Sequence, residues 1–254
     1  MKALRGIAAA CTALVLASCG NGGNQVLQGW VEAELIFVSP DEAGRVETLA
    51  VAQGDRVEAG ALLFTVDPDL QQADMTVAEA SVTNARQTYE RAKELLKTAT
   101  GTQKALEDSE AGLRTAEARL NSARTRLARR RAVSREAGTV QQVYYRPGET
   151  VPAGRPVVSL LPPRNLKIRF FVPQATLPAI QTGETVAIAC DGCAAGLTAK
   201  VTFIAGSAEF TPPVIYSLEE RSKLVFLIEA RPEQPEKFRV GQPVNVTLPK
   251  QAAP

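Results

Sequence analysis

Four cysteines and no histidine define the reactive groups of this 254-residue chain. Without imidazole there is no histidine general base, no Ser-His triad and no histidine metal site. Cys190 and Cys193 bracket Asp191-Gly192, a glycine turn between two strand-like runs. A thioredoxin-like CxxC needs a helix N-terminus to lower its thiol pKa, which this context does not offer. A zinc site needs two further ligands, and the only other mature thiol is Cys19. A reduced pair and a disulfide across the turn are the remaining readings. No catalytic residue, metal or cofactor is expected.

Cys19 ends a segment with its own logic. Lys2 and Arg5 precede an apolar run from Ile7 to Leu16, and Leu16-Ala17-Ser18-Cys19 follows. The run is too short to span a bilayer and reads as an export signal. Small residues before a cysteine resemble the bacterial lipobox, whose cysteine is acylated and becomes the new N-terminus. The plainer reading is an ordinary signal peptide cut nearby, with Cys19 incidental. Several acyl chains would anchor the protein firmly, at about 0.8 kcal/mol per buried methylene. Cys11 is discarded with the signal, Cys19 is acylated, and a Cys190–Cys193 disulfide then accounts simply for the remaining two. A reduced pair suits an exported chain poorly. Gly20 to Gln28, rich in Gly and Asn, reads as a tether.

Two stretches repeat at a spacing of 94 residues: AGRVETLAVAQGDRVEAGALLFTV (Ala43 to Val66) and AGTVQQVYYRPGETVPAGRPVVSL (Ala137 to Leu160). Gly44 matches Gly138, Val46 matches Val140, Gly54 matches Gly148, Val57 matches Val151 and Gly60 matches Gly154. Each copy alternates apolar runs with Gly-Asp or Gly-Glu turns, a strand-turn-strand pattern. Two half-units around an insertion predict one small β domain, split in sequence and closed in space.

The insertion, residues 70–132, contains no proline. Met75, Val82, Tyr89 and Leu96 recur every seven residues with Ala78, Ala85, Ala92 and Ala99 between them. Leu106, Leu113, Leu120 and Leu127 repeat the stripe with Ser109, Ala116 and Ala123. Such a seam faces a partner helix. A turn near Thr98 to Gln103, with Gly101 free to take positive φ, makes that partner the neighbouring helix. The expectation is an antiparallel coiled-coil hairpin, capped at its start by Asp69. Arg124, Arg126, Arg129, Arg130, Arg131 and Arg135 gather at its end. They read as a solvated helix C-terminus that complements the dipole, with anionic lipid a weaker possibility.

Trp30 to Val38 is a strand candidate that leads into the first half-motif. From Asn165 the pattern turns all-β, with strands expected over Leu166 to Val172, Thr185 to Ala189, Leu197 to Ile204, Lys223 to Ala230 and Pro243 to Leu248. Gln174 to Gln181 is a candidate short helix. Five or six such strands predict a small barrel. Apolar content of 45%, aromatic content of 5% and a net charge of +2 suit an elongated protein of two or three small domains and give no case for nucleic acid.

Together the split half-motifs, the hairpin, the barrel, the stretch GWVEAELIFVSP and the late stretch AEFTPPVIYSLEERSKLVFLIEA (Ala208 to Ala230) resemble the periplasmic adaptor family of bacterial exporters, also called membrane fusion or HlyD-like proteins. The late stretch is similar to the adaptors of ABC-type exporters. The resemblance implies a mainly β fold with an α-helical coiled-coil hairpin. Its segments would be 1–19 signal, 20–28 tether, 29–68 N-terminal strand and first half of a split lipoyl-like (barrel-sandwich hybrid) domain, 69–133 hairpin, 134–163 second half and 164–250 β-barrel. It implies a non-enzymatic periplasmic subunit, lipid-anchored to the inner membrane. Its implied partners are an ABC permease and ATPase, a TolC-like outer-membrane channel, and copies of itself in a hexameric ring.

Family adaptors often carry a tip pattern of Arg, Leu four residues on and Ser seven further. Arg91, Leu95 and Thr102 have that spacing, with Thr for Ser, Ala92 where a second Leu is usual and Gly101 where an apolar residue is usual. From the residues alone Arg91 is equally a solvated helix residue and Leu95 plain packing. Adaptors of resistance-nodulation-division pumps usually add a domain after the barrel, and haemolysin-type adaptors a transmembrane helix and a longer hairpin. The chain shows neither pattern, which points to the ABC-linked group. Two other classes compete. A biotinyl or lipoyl carrier needs a lysine at the turn joining the half-motifs, where this chain has the hairpin and no Met-Lys-Met or Asp-Lys-Ala sequence. A structural envelope lipoprotein would use the coiled coil to bind other envelope proteins.

Overall fold

A strand whose alternate residues are apolar must bury one face, and the order in which such strands find partners decides the architecture. The computed structural model describes residues 26–210 and 224–249. The segment with Cys19 and the 211–223 part of the late stretch lie outside the described residues. Two compact units emerge: residues 34–165, and the segments on either side of them.

The strand expected over Trp30 to Val38 is two strands, β1 (Val26–Ala33) and β2 (Ile36–Val38), and they belong to different units. β1 also begins inside the segment read as a tether. The reason is burial: Leu27 and Val31 are 7% and 1% exposed, so alternate β1 residues serve a core of their own. The barrel therefore takes a strand from before the half-motifs as well as those after Asn165.

In the 34–165 unit β2 is followed by β3 (Gly44–Leu49), β4 (Arg56–Val57) and β5 (Leu62–Val66). After the helices come β6 (Arg131–Val133), β7 (Gly138–Val143), β8 (Thr150–Val151) and β9 (Val158–Leu161). They form two four-stranded sheets, β2-β9-β7-β4 and β6-β5-β3-β8. Each sheet takes an edge strand from the opposite half, and the exchange is reciprocal. The Gly54 N–H donates to the Val140 carbonyl at 2.9 Å and the Gly148 N–H to the Val46 carbonyl at 2.8 Å. Val140 N–H reaches Asp55 O and Val46 N–H reaches Glu149 O, both at 2.8 Å. The bulges repeat too, between Val46 and Thr48 and between Val140 and Gln142. Gly54 and Gly148 both turn at positive φ (95° and 94°), where a side chain would be strained. Between the sheets Val46, Leu63, Phe64, Val140, Val151, Val157 and Val158 are almost wholly buried.

The symmetry reaches beyond the repeat visible in sequence. Phe37 pairs with Ser159 and Arg131 with Thr65, so β2 and β6 are equivalent strands, and Arg130 occupies the place of Ile36. Gly154 N–H donates to Pro40 O as Gly60 N–H does to Ser134 O. Ser134 returns a bond to Ala61 that its counterpart Pro40 cannot make, having no N–H.

The proline-free insertion forms α1 (Asp69–Lys97) and α2 (Gln103–Ala128). Glu79 pairs with Arg124 and Arg86 with Glu117, so the helices run antiparallel. Val82, Ala116 and Leu120 form their buried seam, flanked by Met75, Ala78, Ala85 and Leu113. Asp69 is the first helical residue rather than the cap: Pro68 holds that position, and the Asp67 carboxylate accepts the Asp69 N–H at 3.1 Å.

The other unit adds β10 (Leu166–Pro173), β11 (Thr185–Ala189), β12 (Leu197–Ile204), β13 (Glu209–Phe210), β14 (Leu224–Pro232) and β15 (Pro243–Thr247) to β1. Six strands close a ring in the order β10-β1-β15-β11-β12-β14, with β14 back on β10 and β13 extending along β14. Closure leaves no open edge in the ring. Leu166, Ile168, Phe170 and Val172 point inward along β10. The short helix expected over Gln174 to Gln181 is a single 3-10 turn, Leu177–Ala179.

Candidate docking surfaces

The hairpin tip is built by a helix ending. The Thr100 N–H reaches the Leu95 carbonyl at 3.0 Å and the Ala99 N–H the Leu96 carbonyl at 3.1 Å, the paired bonds of a Schellman ending. That ending needs one left-handed residue, and it is Ala99, at φ 57°. Gly101, expected to supply the positive φ, does not. It is small for another reason: a Cβ there would lie 3.0 Å from the backbone of Leu95 and Leu96.

Arg91 and Leu95 stand four residues apart on α1, on one face. Both are exposed, Leu95 at 45%, and no ion pair involves Arg91 among the described residues. Thr102 is exposed but occupied. It is the N-cap of α2, its Oγ1 accepting the Ala105 N–H at 3.2 Å. Just below the tip, the hydrogen bond from Lys97 at 2.7 Å, with its charge, holds the Glu94 carboxyl below its ordinary pKa.

The hairpin root corrects the reading of the arginine cluster. Arg129 pairs with Asp41 at 3.2 Å. Arg130 is only 8% exposed, donating to the Glu42 carboxylate at 3.0 Å and the Ala43 carbonyl at 3.1 Å. Gln71, 5% exposed, donates to the same Glu42 oxygen at 3.0 Å. In sequence, one arginine among six carries no sign of burial.

On the barrel, β1, β10 and β14 present an outward charged network that the sequence reading missed. Arg169 binds Glu32 at 2.7 Å and lies 3.4 Å from Glu229, which Lys167 also binds at 2.9 Å. The hydrogen bond that Arg169 donates to Glu32 raises the Arg169 pKa above its ordinary value. The guanidinium sits 5.9 Å from the Trp30 ring centre, and Trp30 meets Phe171 at 5.8 Å. Glu32 and Trp30 alternate with the inward residues of β1, as Lys167 and Arg169 do on β10, and that alternation was the available signal.

Cys190 and Cys193 occupy the β11–β12 connection with their sulfurs bonded and Cα atoms 5.3 Å apart. Of the half-motif glycines, Gly54, Gly60, Gly148 and Gly154 sit at turns with positive φ. Gly44 and Gly138 instead permit close approach: a Cβ would meet Val66 and Arg130 at the first and the Leu161 carbonyl at the second. Among the described residues no group of His, Cys, Asp and Glu could hold a metal, and no helix is long and apolar enough to cross a membrane.

A split sandwich carrying a helical hairpin, lying in sequence between the first strand of a six-stranded barrel and the rest, is a fold shared with solved membrane fusion proteins. The membrane fusion protein Spr0693 from Streptococcus pneumoniae R6 matches with TM-score 0.70 and 18% identity over 89% of this chain and 100% of that one. A MacA-MexA chimera containing the Pseudomonas aeruginosa MexA α-hairpin domain matches with TM-score 0.71 and 19% identity over 89% and 81%. MacA from Actinobacillus actinomycetemcomitans matches with TM-score 0.59 and 17% identity over 89% and 78%. No family model matches the chain. A UPF0194 membrane protein of Acidithiobacillus ferridurans is 30% identical over 121 residues, covering 47% of this chain and 36% of the relative.

Proposed function

We propose that this chain is a periplasmic adaptor subunit linking an inner-membrane ABC-type exporter, permease and ATPase, to a TolC-like outer-membrane channel for efflux or secretion. Cys19 carries its lipid anchor in the inner membrane, and the chain assembles as a homo-oligomeric ring, a hexamer. Its role is non-catalytic: it seals a path and couples the transporter's conformation to channel opening. The observation that carries this reading is the fold itself, shared over nearly nine-tenths of the chain with proteins described as membrane fusion protein and MacA. The exposed Arg91 and Leu95 near the hairpin tip support docking through Arg91, Leu95 and Thr102.

The decisive experiment is a mild-detergent pull-down of chromosomally tagged protein with mass spectrometry of its partners. An ATPase and its permease are the expected result. A proton-driven pump would overturn the ABC assignment, and recovery of envelope proteins alone would replace the adaptor with a structural lipoprotein. For the tip, Leu95→Asp and Thr102→Asp are both expected to lose the channel from the pull-down while keeping the permease. Aspartate is itself a good N-cap, so Thr102→Asp tests docking without uncapping α2. For the Cys190–Cys193 disulfide, alkylation of unreduced protein should find neither thiol; two modified thiols would exclude it.

A further inference from the structure

Both legs of the hairpin are gripped at its root by one carboxylate. Glu42 lies on the segment that leads into β3. It receives Gln71 from the first turn of α1 and Arg130 from just beyond α2, each at 3.0 Å. Arg130 also donates to Ala43 O at 3.1 Å, tying the end of α2 to the same segment. We infer that Glu42, Arg130 and Gln71 form a latch that fixes the direction in which the hairpin leaves the sandwich.

The internal symmetry separates this role from simple sandwich stability. Arg130 and Ile36 are equivalent positions in the repeat: Ile36 pairs with Leu160, and the Arg130 carbonyl, one residue before β6, accepts the N–H of Val66, the counterpart of Leu160, at 2.8 Å. Ile36 packs against the sandwich core, so the fold accommodates an apolar residue there. Arginine instead leaves its Nε, like Gln71 Oε1, buried without a hydrogen-bond partner among the described residues. That is a cost which an aliphatic side chain would avoid. What differs between the two places is that α1 and α2 meet the sandwich at only one of them. Gly44 fits the same account: a Cβ there would lie 2.9 Å from Arg130 Nη1 and 2.4 Å from Val66 Cγ1, so glycine leaves room for the guanidinium. The counterpart of Glu42 is Glu136, and it too holds the chain where it leaves the sandwich, through Arg164 beyond β9.

The geometry makes the root a lever. A helix rises about 1.5 Å per residue, so Gln87 lies about 27 Å along α1 and about 10° of rotation at the root displaces it by about 5 Å. Two buried, hydrogen-bonded side chains on one carboxylate, one from each leg, resist rotation in a way that a single contact would not. The inference rests on the adaptor reading only for its purpose, which is to aim the tip. Its test uses no transport and no partner, so the two can fail separately.

The test is a spin-label distance measurement between Gln87→Cys and Glu58→Cys, both exposed sites, in the full chain with Cys11→Ser and Cys19→Ser. The parent is expected to give one narrow distribution. Arg130→Met should broaden it by about 5 Å, with Glu42→Gln intermediate and Arg130→Lys narrower than Arg130→Met. Arg164→Met, which breaks the counterpart pair, should leave it unchanged. An unchanged width in Arg130→Met and Glu42→Gln, or equal broadening in Arg164→Met, would overturn the latch. If Arg130→Met fails to fold, Glu42→Gln, which keeps shape and removes charge, decides the matter alone.

Discussion

Val46, Leu63, Phe64, Val151, Val157 and Val158 of the sandwich have no exposed surface, whereas the best-buried seam residues of the hairpin, Leu120 and Ala116, keep 7% and 8%. Two facing sheets seal a layer from both sides. Two helices cover only one stripe of each other, and Tyr89 and Leu96 nearer the tip are only partly buried. The hairpin thus rests on one narrow seam, since helices in proteins draw most of their stability from the packing of one face. Most of its other residues are exposed.

The largest effect that would break this contrast is in the sandwich. Phe64→Ala should destabilise the 34–165 unit by about 3–5 kcal/mol in denaturant unfolding, by opening a cavity in a closed layer. Leu120→Ala should cost less, about 2 kcal/mol. Its accelerated hydrogen exchange should be confined to α1 and α2; equal acceleration in β5 and β9 would mean that the two regions unfold as one. Ala99→Gly should stabilise the hairpin by about 0.5–1 kcal/mol, because only alanine is strained at that left-handed position, and unfolding monitored at the tip would detect it. The smallest effect concerns Glu94. Its folded pKa lies below the ordinary value, so the Lys97 pair contributes above the carboxylate range and is lost as pH falls through that lowered pKa. The group is fully exposed, so the effect is small: Glu94→Gln should lower thermal stability only slightly at neutral pH, and the difference from the parent should vanish as pH falls below the carboxylate range.

The half-motifs were legible because their exchange depends on chemistry that letters reveal: turn glycines, and valines at alternating positions. The outer strands β2 and β6 were not, because Ile36-Phe37-Val38 and Arg130-Arg131-Ala132 share backbone pairing and almost no side-chain character. The break after Ala33 carries no glycine or proline, so β1 and β2 read as one strand until tertiary pairing divides them. The seam of α1 and α2 was plain from its seven-residue spacing, but its caps were not. Asp67 and Asp69 are equally good letters, and Ala99 takes a conformation that propensity assigns to Gly101. At the tip, the family pattern marks Arg91, Leu95 and Thr102 alike, while the bond that engages Thr102 in holding α2 is local geometry that no spacing encodes.

The pairing of Val26 with Thr247 in the barrel has a consequence in time. A chain made from its N-terminus has the whole sandwich and hairpin in hand once Leu161 has emerged, while β1 must wait for Pro243–Thr247 before its hydrogen bonds along β15 can form. Contacts so far apart in sequence close slowly. The barrel should therefore be the late-folding part of the molecule: β1 can pair with β10 as soon as that strand is made, but the ring stays open until β15 arrives, and loss of β15 should leave a folded sandwich and an unclosed sheet.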